Sequence, residues 1–195
     1  MEQPIGPQQR LIHMSNLADR SCREQAPGLR MGDMATHKVT LRKMTPAEYE
    51  AATQHREAES ARELGKLMPA ELARERTRHG TARFLPDGLD TARHHLVVAE
   101  NEAGEVVGNA WVGPDPRQAA GIGSAAWLYD INVFPEYRRH GYGSAILTAA
   151  EALIRSDGCT SLGLNVAGDN DAAIALYQSS GYTVTTMSMR KGVPG

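Results

Sequence analysis

One stretch constrains the fold more than any other: Val133-Phe134-Pro135-Glu136-Tyr137-Arg138-Arg139-His140-Gly141-Tyr142-Gly143-Ser144-Ala145-Ile146-Leu147. An apolar run, Ala126 to Val133, stops at Pro135. A basic, glycine-bearing loop follows, and apolar residues then recur at Ile146, Leu147, Ala150, Leu153 and Ile154, the spacing of one helix face. Strand, loop and helix in that order place Gly141 and Gly143 where no Cβ obstructs close approach, beside Arg138 and Arg139, at a helix start. The unbonded N–H groups of a first helical turn and the helix dipole both favour an anion there. The loop therefore predicts a phosphate cradle.

Two familiar phosphate loops do not fit. A P-loop requires Lys before the Ser or Thr that follows its glycines, and here Ser144 follows Gly143 directly. A dinucleotide fingerprint requires a third small residue where Ile146 stands.

The rest of the chain supplies mixed elements. Lys38 to Arg42 alternates as a first strand, and Thr45-Pro46-x-Glu48 reads as a capping box opening a helix to about Leu64. That helix is strongly polar, with Tyr49, Ala52, Leu64 and Leu67 as its apolar points, so it is expected to dock only lightly. A second helix follows Met68-Pro69 and runs to about Arg83; its arginines, Arg74, Arg76, Arg78 and Arg83, read as a solvated face, with attraction of an anionic substrate as the alternative. Leu96 to Glu100 and Val106 to Val112 form a hairpin around Asn101-Glu102-Ala103-Gly104. After the central strand and the loop helix come a strand at Thr160 to Val166, a helix opened by Asn170, and a last strand at Thr183 to Met189. The pattern predicts an α/β fold, a partly antiparallel sheet with helices on both faces.

Composition excludes several classes. A formal net charge of −2 argues against a general nucleic-acid binder. Cys22 and Cys159 make neither a disulfide framework nor a zinc set, which suits a reducing cytoplasm, and no metal site is expected. No apolar run reaches the roughly 18–20 residues that span a bilayer, so neither membrane nor nucleic acid is an expected partner. Residues 1–37, punctuated by Pro4, Pro7, Pro27 and Gly28, read as a flexible N-terminal extension, with Met31 or Met34 as alternative starts.

The loop Arg138-x-x-Gly141-x-Gly143 resembles motif A of the GNAT superfamily of acetyl-CoA-dependent acyltransferases. Asn170-x-x-Ala173-x-x-Leu176-Tyr177, closing at Ser180-Gly181-Tyr182, resembles that family's motif B, in the family's order and with a strand between. The resemblance covers about residues 38–191, leaving 192–195 as a tail. Leu85 to His95 together with Trp127-Leu128-Tyr129-Asp130 looks like a bacterial subgroup of largely unassigned substrate.

The resemblance implies a GNAT-like mixed, mostly antiparallel sheet, splayed at its central strands and flanked by helices. It implies acetyl-CoA as cosubstrate. The main chain from Arg139 through His140, Gly141, Tyr142 and Gly143 to Ser144 would cradle the pyrophosphate, with Arg138 and Arg139 as cationic donors. The backbone of Ile131 and Val133 would pair with the pantetheine arm, and Asn165 and Asn170 are candidate side-chain contacts, Asn170 being equally suited to capping its helix. It further implies transfer to a primary amine of a small molecule, peptide or protein, with a homodimer as a possible assembly. Tyr177 matches the family's acid for the departing sulfur.

Tyr129 and Asp130 complete the candidate catalytic set. Many relatives carry Glu or His where this chain has Trp127 or Tyr129. Plain alternation puts Trp127, Tyr129, Ile131 and Val133 on one face and Leu128, Asp130 and Asn132 on the other. Asp130 then anchors structure unless a bulge turns it inward. Base function would fall to a water chain, or to an acid of the N-terminal helices such as Glu48. Two other outcomes stay open: an acyl-CoA-binding regulatory module with little catalysis, and a donor carrying a different acyl group.

Overall fold

A computed structural model describes residues 37–118, 124–189 and 191–192. The expected N-terminal extension lies outside them except for His37, as does most of the expected tail. The elements run β1 (Thr40–Lys43), α1 (Pro46–Gly65), α2 (Ala70–Phe84), β2 (His95–Glu100), β3 (Val106–Pro114), β4 (Ala125–Val133), α3 (Tyr142–Ser156), β5 (Ser161–Leu164) and α4 (Asp171–Ser179). The sheet order is β1-β2-β3-β4-β5. The first four strands are antiparallel neighbours, and β5, reached through α3, lies parallel to β4.

Helices cover both faces of the sheet. On one, α3 and α4 enclose Val107, Ala110, Val112, Leu128, Ile131, Val133, Ile146, Leu147 and Tyr177. On the other, Met44, Ala52, Leu85, Leu96, Val98, Trp111, Trp127 and Tyr129 pack beneath α1 and the end of α2. No described helix is long and apolar enough to cross a membrane.

The capping box at Thr45 forms as the sequence predicts. Thr45 Oγ1 accepts from the Glu48 N–H at 3.3 Å, and Glu48 Oε2 accepts from the Thr45 N–H at 2.8 Å. Glu48 is also gripped by Arg42, with 2.8 Å bonds to both carboxylate oxygens. The Arg42 hydrogen bonds, joined by those from Thr45, hold the Glu48 carboxyl down to about 2. An acid so depressed is a poor proton acceptor, which counts against Glu48 as a base; it stands in the first turn of α1, within the box that caps that helix.

The expected last strand does not form. Thr183–Met189 carries no ladder, and Val184, Met187 and Met189 are exposed. The β-branched composition of that segment is a context-dependent preference that only a paired, half-buried surface converts into a strand. Its anchor is Tyr182, whose hydroxyl donates to Glu151 at 3.0 Å and whose N–H donates to the Tyr177 carbonyl.

The expected splay is present. Parallel pairing of β4 with β5 runs from Ala125↔Ser161 to Leu128↔Leu164 and ends there, while β4 continues to Val133. Among the described residues, the second half of β4 thus has a free edge on that side.

Candidate active site

The loop after β4 makes a short 3-10 turn at Pro135–Tyr137 and then two left-handed residues, Arg139 at φ 66 and Gly141 at φ 85. A left-handed arginine costs on the order of 1 kcal/mol or more, so the surrounding loop must impose it. Gly141 takes the same conformation without that cost and is the N-cap of α3, with no side-chain cap bond. The amides of Tyr142, Gly143 and Ser144 therefore have no acceptor inside the helix. A Cβ on Gly143 would lie 3.3 Å from Leu176 Cδ2 and 3.8 Å from Val133 Cγ2, so this glycine seats the start of α3 against both α4 and β4.

The side chains of this loop take separate courses. Arg139, His140 and Ser144 are exposed. Tyr142 stacks on His37 with centroids 4.5 Å apart and meets Tyr137 edge-on. Arg138 bends back, its Nε donating to the Val133 carbonyl at 2.9 Å, and so clamps the loop to the strand end. Because the Phe134 N–H bonds to Val107 of β3, alternation directs the main-chain groups of Val133 and Ile131 to the free edge.

The pairing of β3 with β4 slips between Trp111 and Val112: Trp111 faces Asp130, and Val112 faces Leu128. Tyr129 is the extra residue of a β-bulge. This corrects the plain alternation. Leu128, Ile131 and Val133 all join the α3/α4 core. Trp127 and Tyr129 join the other layer with Trp111, and Asp130, directly opposite Trp111, shares that face. The bulge needed to turn Asp130 toward the α1 side exists.

Around it the polar residues are buried. Asp130 is 2% exposed, Asn109 and Asn132 5% each, and Arg56 of α1 2%. Arg56 holds its guanidinium carbon 4.6 Å from the centre of the Trp111 ring. On α1, Ala52, Arg56, Ser60 and Leu64 are all buried and recur every fourth residue, so the docked stripe of the helix is polar in its middle. Sequence reasoning passed over Arg56. The signal was the interruption of an Ala52–Leu64 ladder by Arg56 and Ser60.

Tyr129 is fixed on every side. Its ring stacks on Trp111 at 4.4 Å, and its hydroxyl donates to the Pro114 carbonyl at 2.7 Å. Burial drives its phenol well above the usual range, so it cannot serve as a base near neutrality. Trp127 is held by Arg117, whose guanidinium carbon is 4.2 Å from the ring centre and which is doubly bonded to buried Asp115. It also lies against Gly163, where a Cβ would come within 2.5 Å of the indole.

Tyr177 on α4 is 3% exposed. Burial, then the charge of Asp130, raises its phenol far above the ordinary value; it stays protonated at any working pH. Asn170 caps α4, its side chain accepting from the Ala173 N–H at 3.1 Å, and its Nδ2 is buried without a partner among the described residues. Asn165 is exposed just beyond the end of β5.

A supporting aromatic cluster carries a pH prediction. Trp111 Nε1 donates to His94 Nδ1 at 2.9 Å, so His94 is neutral with its proton on Nε2. Burial, aided by His95 and Arg93, pushes its pKa from 6.5 down to about 4. Between those values the unfolded chain binds a proton that the folded chain refuses, so stability falls as pH drops through that window. Urea midpoints measured from pH 7 to 4 should show this slope in the wild type and a flatter one in His94→Gln.

Comparison with known proteins adds a family. The model of the Acetyltransferase (GNAT) family matches residues 58–182. The uncharacterized N-acetyltransferase YycN of Bacillus subtilis is 32% identical over 108 residues, 55% of this chain and 67% of that one. A second Bacillus subtilis protein, the uncharacterized N-acetyltransferase YdgE, is 28% identical over 117 residues, 60% and 73% of the two chains. The crystal structure of YycN superposes with a TM-score of 0.74 at 27% identity, covering 81% of this chain and all of that one. AAC(6')-Iy in complex with the bisubstrate analog CoA-S-monomethyl-acetylneamine shares the fold, with a TM-score of 0.51 at 16% identity over 80% of this chain and 99% of that one.

Proposed function

Because the chain belongs to the Acetyltransferase (GNAT) family, and is thereby an acetyltransferase, we propose that it takes the acetyl group from acetyl-CoA and transfers it to a primary amine. The observation that carries this is the free edge of β4. Past Leu128, where pairing with β5 has ended, the N–H groups of Ile131 and Val133 lie on that unpaired side of β4, and α3 beyond the loop starts without a side-chain cap. An extended amide-bearing arm fits such an edge as an added strand would, and a pyrophosphate fits the helix start. Asn170 Nδ2, buried and unpartnered among the described residues, is a donor at the start of α4, the helix that bears Tyr177.

The residues then divide the chemistry. Val133 N–H stands where it can polarise a thioester carbonyl. Asp130 is the carboxylate of the site and accepts, directly or through water, the proton that an ammonium must lose before its nitrogen can attack. As the new C–N bond forms and the C–S bond breaks, Tyr177, its phenol held protonated by burial, donates to the leaving sulfur, and the second proton shed by the new amide nitrogen restores it through solvent. Arg138 keeps the loop against the strand end through Val133.

Two measurements test this. Thiol release from acetyl-CoA should depend on added primary amine. Amide exchange at Ile131 and Val133 should slow on adding CoA, while exchange at Val97 and Val98 in the interior of β2 should not change. An enzyme that slows exchange yet releases no thiol with any amine would be acting as a binding module, and the transfer reading would be wrong.

A further inference from the structure

We propose that Arg56 selects the acceptor, its buried guanidinium binding a carboxylate carried on the same small molecule or chain end as the reacting amine. The proposal rests on amine acetylation as the function of this site. A guanidinium has five N–H donors in a fixed plane. Here one nitrogen, Nη2, donates to the neutral hydroxyl of Thr53 at 3.1 Å, and Nε is buried without a partner among the described residues. A cation that is 2% exposed with an idle donor is costly unless something else completes it. The stacking on Trp111 at 4.6 Å offers a face, not an acceptor.

Position identifies the missing group. Trp111 lies under Arg56 and directly opposite Asp130 in the sheet, so the cation and the carboxylate share one face of the bulge. Burial opposes the charge of Arg56, and the carboxylate of Asp130 favours it. An amine that gives its proton to Asp130 therefore brings a monoanion it carries toward Arg56, whose Nε has no acceptor among the described residues. A dianionic phosphate would meet Asp130 unfavourably, whereas a carboxylate fits the guanidinium fork in two parallel bonds. The orphaned Asn132 Oδ1, two residues beyond Asp130 on β4, is a further acceptor suited to the ammonium. Amino acids and peptides with a carboxylate near the amine fit this description; simple alkylamines do not.

The test uses matched acceptors: amino acids against their own carboxamides, with phosphoethanolamine against β-alanine. Wild-type enzyme should prefer the carboxylate by about tenfold or more in kcat/KM, mostly through KM, since a buried donor left idle costs roughly that much. Arg56→Met should collapse the ratio toward one, and Arg56→Lys, which keeps the charge but loses the fork, should retain part of it. Carboxylates should also shift the intrinsic fluorescence of Trp111 saturably in wild type and not in Arg56→Met. If no amine turns over but this fluorescence response appears, acetylation of amines fails and the carboxylate site stands. A wild-type ratio near one, a preference for phosphoethanolamine, or no fluorescence response overturns it. So does an equal fall in kcat for both members of each pair with KM unchanged, which would make Arg56 only a counter-ion to Asp130. The wild-type comparison decides even if the variants fold poorly.

Discussion

Replacing Gly108 by alanine is expected to destabilise the protein by about 3 kcal/mol or more, a large share of the stability a domain ordinarily has. Gly108 lies on β3 opposite Val133. A Cβ there would run into the backbone carbonyl of Asn132 and come within 2.9 Å of Ile146 Cδ1. Neither can step aside. The carbonyl belongs to a strand paired on its other residues, and Ile146 is fully buried beneath α3. The contrast with Gly104, whose Cβ would meet nothing within 4 Å but whose φ of 79 favours glycine, makes the effect specific: Gly104→Ala should cost about 1 kcal/mol. Urea denaturation of the two variants checks both values. A Gly108→Ala protein with a wild-type midpoint would mean that β3 and β4 do not pack as described.

The second large effect is on rate. Tyr177→Phe should lower kcat by about 10²- to 10⁴-fold, the usual worth of a positioned proton donor. The dissociation constant of CoA should change by only a few-fold, because in the proposed site main-chain groups and a helix start make most of that contact. The pH profile separates donor from scaffold. With its phenol raised by burial, wild-type Tyr177 keeps its proton past the ordinary tyrosine value near 10, so activity should show no alkaline decline from this residue up to about that pH. An alkaline limb below that pH that vanished in Tyr177→Phe would contradict the raised phenol, and an unchanged kcat in Tyr177→Phe would contradict the donor role. Asp130→Asn should also lower kcat and flatten the acid side of the profile, with CoA affinity again nearly unchanged.

How much of this was legible beforehand differs by kind of signal. Features written in neighbouring residues were legible. The capping box at Thr45 and Glu48, the cap at Asn170, the glycine at the start of α3 and the apolar stripe of α3 all follow from local geometry. The splay between β4 and β5 followed from the family resemblance rather than from any residue pattern. Features that depend on distant partners were not legible. Nothing in Trp127-Leu128-Tyr129-Asp130 marks the bulge, because it is fixed by Trp111 stacking on Tyr129 and by the Pro114 carbonyl that accepts the Tyr129 hydroxyl. Arg56 sits in a helix so polar that one more charge looked like solvent-facing surface; only the fold shows that its face is turned inward. Thr183–Met189 has strand composition without a paired surface to use it.

The bulge at Tyr129 makes β4 a strand of two phases. Ahead of it, odd-numbered side chains report to α1; behind it, odd-numbered side chains report to α3. Losing a single residue near Tyr129 would bring the two halves into one phase and exchange the neighbours of every side chain on one side of the cut. Carboxylate and apolar residues would trade layers at once. Point substitutions can therefore retune the face of this strand turned to α1 one position at a time, whereas a one-residue change in its length would rewrite half of it in a single step, and lineages that keep the activity are expected to keep the length of β4 even where its side chains drift.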